Sequence, residues 1–137
     1  MLNQRLQIAI HEAEKYGFKD NGRDNLVHVI WLGGAKFSDT ILKCMESWKK
    51  YLGNRTLCLW TEKSLDMSHP WVKQTYALRK YAFATDYLRL WCVYFYGGIY
   101  LDVDVELIKD LEVNNNFFAL ESYTNSIALG LAFGAEK

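Results

Sequence analysis

One proline, Pro70, stands in the whole chain, so there is no proline-rich linker and no low-complexity tract to divide it. Three cysteines, Cys44, Cys58 and Cys92, form no C-x-x-C pair and leave an odd count. Each sits in an apolar stretch, which excludes a disulfide framework and reads as reduced, packed thiols of a cytosolic protein. Net charge is lacking as well. Sixteen Lys and Arg balance sixteen Asp and Glu, so no global field draws the chain to nucleic acid or an anionic surface. The pair Lys49-Lys50 reads as a solvated helix face. Long hydrophobic runs are also missing. The opening residues have no unbroken apolar core of the signal-peptide kind. The most apolar stretch, Tyr81 to Tyr96, contains Asp86 and Arg89 and is too short for a confident span. The expected location is cytoplasmic, with peripheral association at the inner face of a membrane left open.

What is present is a folding composition. Half of the 137 residues are apolar, enough for one domain with one core. Residues 3–16 have helical periodicity, with Leu6, Ala9, Ile10 and Ala13 on one face. Leu26 to Trp31 and Thr56 to Trp60 are short β-rich runs typical of buried parallel strands. Between them Ile41, Leu42, Met45 and Trp48 recur at helical spacing behind a capping Ser38 or Asp39. Residues 71–79 and 80–96 are two more predicted helices, the second apolar nearly all round and expected to be buried. Gly97-Gly98 stops it, and Ile99-Tyr100-Leu101 follows as a strand. Phe117 to Leu120 and Ile127 to Leu131 are candidate further strands. This alternation predicts an α/β layer around a largely parallel sheet.

The chemistry gathers at the end of the third strand. Asp102-Val103-Asp104 directly follows it, where ligands bind in open α/β sheets. Two carboxylates there can hold a hard divalent cation that keeps positions for water and phosphate oxygens. Read alone, the triplet is equally a solvated acidic turn. Asp86 and Arg89 are the charged side chains of the 81–96 helix and share a face. They form either a structural ion pair or a site in which Asp86 accepts from sugar or ribose hydroxyls and Arg89 donates to sugar or phosphate. Trp31, beside Gly33-Gly34, is either a core residue or a platform for a nucleobase. His28, Trp48, Trp60, Trp71 and Trp91 read as packing residues, and Glu121 lies at another predicted strand end.

These residues together resemble the glycosyltransferases whose sugar-binding region contains a DXD motif. That group includes capsular polysaccharide transferases, outer-chain mannosyltransferases and clostridial toxin glucosyltransferases. The likeness rests on Tyr81 to Trp91, on Tyr96-Gly97-Gly98-Ile99-Tyr100-Leu101-Asp102-Val103-Asp104-Val105-Glu106, on Val29 to Gly34, on Cys44 to Trp48 and on the Leu59-Trp60 strand end. Joint occurrence in order is more specific than any one motif.

The resemblance implies a GT-A-type Rossmann-like sheet flanked by helices, incomplete at its C-terminus. Residues 1–24 would be an added helix and loop, and residues 25–137 the donor-binding part. It implies a UDP- or GDP-sugar donor, a glycan or other hydroxyl acceptor, Mn²⁺ or Mg²⁺, no nucleic-acid partner, and transfer of a hexose with retention. Trp31 would stack on the base. Asp86 and Arg89 would contact ribose and sugar hydroxyls, Asp102 the ribose or the metal, and Asp104 the metal. Two alternatives stand beside this one. The first is a truncated, non-catalytic remnant that binds nucleotide sugar. The second is an aspartate phosphohydrolase of D-x-D-x-T type, in which Glu106 would occupy the hydroxyl position.

Overall fold

A computed structural model describes residues 1–114, 116–120, 126 and 132–136. The predicted strand at Ile127 to Leu131 and the candidate Glu121 lie outside those residues. The elements run α1 (Leu2–Glu14), β1 (Leu26–Ile30), α2 (Asp39–Tyr51), β2 (Thr56–Trp60), α3 (Pro70–Ala77), α4 (Tyr81–Tyr96), β3 (Gly98–Leu101), β4 (Phe117–Phe118) and β5 (Ala132–Ala135).

The sheet order is β2-β1-β3-β5-β4. β1 runs parallel to both neighbours, with Ile30 opposite Trp60 and His28 opposite Tyr100. β5 is antiparallel to β3 and to β4. All fourteen positions of β1, β2 and β3 are buried, as expected of strands covered on both faces. The parallel half matches the sequence prediction. β4 falls within the candidate strand Phe117 to Leu120; the antiparallel direction and β5 are not predicted, because periodicity does not give strand direction and β5 lacks a long apolar run.

Side chains alternate between two layers. On one face Ile30, Cys58, Trp60 and Tyr100 pack with Leu88, Trp91 and Cys92 of α4. On the other Val27, Val29, Leu59, Ile99 and Leu101 pack with Cys44, Met45 and Trp48 of α2. The predicted face of α1 is the buried one, and it divides: Leu6, Ala9 and Ile10 join the first cluster and Ala13 the second. α1 packs against β2, the outer strand, and so covers an edge that otherwise invites pairing with another chain. The residues 1–24 therefore share the core of the sheet. All three cysteines are free and buried.

Local signals account for the helix ends. Ser38 caps α2, its side chain accepting from the Ile41 amide at 3.2 Å. His69 caps α3 in the same way, with Pro70 in the first turn. α4 stops at Gly97, and Gly98 begins β3 with φ +91°. A Cβ at Gly98 would run into the Leu26 carbonyl, so glycine lets β3 close onto β1.

One expectation fails. α4 is not buried all round: Phe83, Leu90 and Tyr94 are exposed, and so is Asp86. The helix packs on the sheet and on α3, which cover only part of its circumference.

His28 is the polar centre of the core. Its Nε2 donates to the Gly97 carbonyl at 2.7 Å and its Nδ1 accepts from Trp60 Nε1 at 3.0 Å. That pattern demands the neutral ring. Complete burial pushes its pKa down to about 4, against the opposing pull of the Gly97 carbonyl.

Candidate functional site

Asp102 is the first residue beyond β3. The Val105 amide donates to the Asp102 carbonyl at 3.1 Å, closing a turn over Asp102-Val103-Asp104-Val105. The D-x-D triplet is thus a turn, as its plain reading predicts, and the turn places two carboxylates side by side.

The turn is held from both layers. On the α2 side, Trp48 Nε1 donates to the Val105 carbonyl at 2.7 Å and Ser47 Oγ accepts from the Leu107 amide at 2.9 Å. Further along, the Leu111 amide donates to the Tyr51 carbonyl, and Arg55 donates to the Val113 carbonyl. Trp48 is therefore a packing residue, as predicted, and also an anchor of this segment. Glu106 turns to Lys43 of α2, 3.6 Å away.

On the α4 side, Tyr100 Oη donates to Asp102 Oδ1 at 3.1 Å, and the Val103 amide reaches the same oxygen at 3.2 Å. The guanidinium of Arg89 lies 5.0 Å from the centre of the Tyr100 ring, a cation–π distance. Arg89 Nη2 sits 3.1 Å from Asp86 Oδ1. A continuous chain, Asp86–Arg89–Tyr100–Asp102, therefore joins the second turn of α4 to the D-x-D turn. Arg89 is buried, while the Asp86 side chain is 60% exposed. The pair thus presents its carboxylate to solvent.

Burial raises the Asp102 carboxyl, and the neighbouring Asp104 raises it further. The Tyr100 hydroxyl, Arg89 and the Val103 amide oppose that rise. Crowded carboxylates disfavour the charged form, and a bound cation relieves the crowding. The donor set is hard oxygen, which fits Mg²⁺ or Mn²⁺. Among the described residues, no group of three or more His, Cys, Asp or Glu is arranged to hold a metal. The two aspartates would leave the other positions to water and ligand oxygens.

Trp31 directly follows β1 and continues its pairing, its amide donating to the Trp60 carbonyl at 2.9 Å. Its indole N–H reaches the Ala35 carbonyl at 2.9 Å and its ring packs on Phe37. Beside it opens a cleft of about 570 Å³, lined also by Tyr16, Gly34, Phe37 and Glu62. Glu62 accepts from the Gly33 amide and from the Tyr76 hydroxyl. Gly33 has φ +88°, and a Cβ there would meet the Tyr81 ring at 2.5 Å. Trp31 belongs to the α2-side packing, whereas Tyr100, the partner of Asp102, belongs to the α4 side. None of Asp86, Arg89, Asp102 and Asp104 lines the cleft. The structure thus joins four of the five predicted residues and sets Trp31 at a neighbouring strand end. Tyr100, the link between Arg89 and Asp102, is in the sequence only a residue of a predicted strand. An aromatic hydroxyl two residues before a carboxylate shares its side of a strand, and that was the available signal.

An open α/β sheet with paired carboxylates beyond a central strand defines a class of ligand-binding folds. The chain belongs to the glycosyltransferase sugar-binding family that contains the DXD motif, whose family model matches residues 38–124. Its structure is similar to that of the PaToxG glycosyltransferase, with a TM-score of 0.61 at 18% identity. The likeness covers 96% of this chain and 66% of that one. No curated protein matches the sequence. The family membership displaces the phosphohydrolase alternative. Among the described residues no helix is long and apolar enough to cross a membrane.

Proposed function

We propose that this chain forms the donor-binding part of a GT-A glycosyltransferase domain that moves a hexose from a UDP- or GDP-sugar to a glycan or other hydroxyl acceptor. The observation that carries the reading is the chain of contacts from Asp86 through Arg89 and Tyr100 to Asp102, beside Asp104. A nucleotide sugar needs hydroxyl acceptors for its sugars and charge compensation for its diphosphate. Asp86 takes ribose or sugar hydroxyls, and Arg89, whose guanidinium is always protonated, donates to the sugar or a phosphate. Asp102 and Asp104 hold Mn²⁺ or Mg²⁺, which when bound neutralises charge on the leaving diphosphate. The Trp31 cleft receives the base, with the indole as stacking surface. Transfer with retention of configuration is what the resemblance implies.

The test is thermal stabilisation by a panel of nucleotide sugars, with and without Mn²⁺, on the chain and on its Asp104→Ala variant. At about a hundred times Kd the correct donor adds about 2.7 kcal/mol of stability. The Mn²⁺-dependent part is expected to vanish in Asp104→Ala, whose side chain is exposed. Equal stabilisation of both proteins refutes the metal role. Stabilisation without donor hydrolysis or transfer identifies the chain as a binder of donor only.

A further inference from the structure

The α3–α4 hairpin bears a second surface, away from the carboxylates in chemistry. Trp71, Leu78 and Phe83 are all exposed large apolar side chains, Leu78 to 60%. They border a notch of about 200 Å³ together with Lys80 and Gln74. Trp71 and Phe83 meet edge to face, and the indole N–H is bonded to the Phe83 carbonyl at 2.9 Å. The pair is therefore a rigid platform.

Cations frame it. Residues 70–85 contain Lys73, Arg79 and Lys80 and no Asp or Glu, and all three cations are exposed. Lys80 Nζ lies 5.9 Å from the Phe83 ring centre. The neutral total charge conceals this local excess.

The tip is held by backbone. α3 ends in a Schellman pair, with the Arg79 amide bonded to the Tyr76 carbonyl and the Lys80 amide to the Thr75 carbonyl. The left-handed position of that motif, at φ +57°, is filled by Arg79, the one non-glycine residue at positive φ among those described. Glycine is the usual occupant, and a side chain there costs about 1 kcal/mol. A fixed tip of Trp, Leu and Phe with Lys80 beside the Phe83 ring, in a stretch from 70 to 85 that carries three cations and no acid, has the composition of an interfacial anchor.

We propose that the α3–α4 tip docks on an anionic lipid bilayer, with Trp71, Leu78 and Phe83 entering the headgroup boundary and Lys73, Arg79 and Lys80 meeting lipid phosphates. Three cations and no acid in residues 70–85 match lipid phosphates in charge, and that match selects an anionic bilayer as the occupant. Docking there does not depend on donor binding.

The test is co-sedimentation of the chain with phosphatidylcholine vesicles, with and without phosphatidylserine. Binding is expected only with the anionic lipid. Each basic residue near such a surface contributes about fivefold in affinity, so Arg79→Gly is expected to bind about fivefold more weakly while melting no lower than the parent. Leu78→Asp is expected to abolish binding with its fold retained. No binding to anionic vesicles, or equal binding by the parent and both folded variants, overturns the proposal. So does a concentration-dependent dimer that Leu78→Asp disperses, since a second copy would then be the occupant.

Discussion

Among the described residues, the buried His28 and the buried Arg89 are polar centres that solve the same problem in opposite ways. At the middle of the sheet, His28 is fully buried, neutral and bonded on both ring nitrogens to Gly97 and Trp60. At the carboxyl end of the sheet, Arg89 is nearly as buried but charged, and its partners lead outward to the exposed Asp86 and inward to Tyr100 and Asp102. A polar group whose every partner is internal can only tie elements together. A buried charge whose partner carboxylate faces solvent keeps capacity for a ligand. The first centre therefore serves the fold, joining β1, β2 and the end of α4, and the second leads to the proposed donor site.

Acid should break the first centre. The folded pKa of His28 is about 4, against an ordinary 6.5. As pH falls below 6.5, the unfolded chain takes the proton first, so its population grows. The stability that His28 contributes is complete above pH 6.5 and is lost between 6.5 and 4, by about 3 kcal/mol in all. Urea unfolding across this range is expected to show the decline, and the slope should flatten in a His28→Asn variant. A slope unchanged in that variant would mean that other groups govern acid unfolding.

Arg89→Met sharpens the contrast, because it keeps a long apolar stem in the same space. Stability is expected to change by about 1–2 kcal/mol or less, since the Asp86 carboxylate left behind faces solvent. Donor affinity is expected to fall at least about tenfold, the value of a charge-assisted hydrogen bond. Calorimetry with the donor found by thermal screening measures both the loss and the retained fold. A variant that unfolds yet binds as before when folded would make Arg89 a structural residue.

The smallest effect belongs to Tyr100→Phe. The ring stays beneath Arg89, and one hydroxyl–carboxylate bond is lost, for about 1 kcal/mol. Donor affinity dependent on Mn²⁺ should weaken more than affinity without metal, because Asp102 loses its orientation. Equal weakening in both conditions would place the hydroxyl outside the metal's neighbourhood.

Much of the parallel half was legible. β1, β2 and β3 are apolar runs closed by glycine or polar residues, and α2 has a cap and a clean periodic face. Those signals are local. His28 was also legible as a core residue, because it lies inside a buried strand. The exposed side of α4 was not, since a mostly apolar helix gives no sign of which face its neighbours leave uncovered. Nor was the exposed apolar platform beside Lys80, because only the packing of α3 against α4 brings Trp71 to Phe83.

By itself the sequence determined most of the elements, the ends of the helices, the parallel character of the central strands and the residue types found at the end of β3. Periodicity, capping and turn chemistry act over a few residues, so they are written in the chain. Only the tertiary structure decided that Arg89 stacks on Tyr100, that Trp31 faces the other layer from Asp102, and that α1 seals the edge of β2. Those outcomes depend on which side chains the packed layers leave room for, and that is settled by contacts between residues distant in the chain.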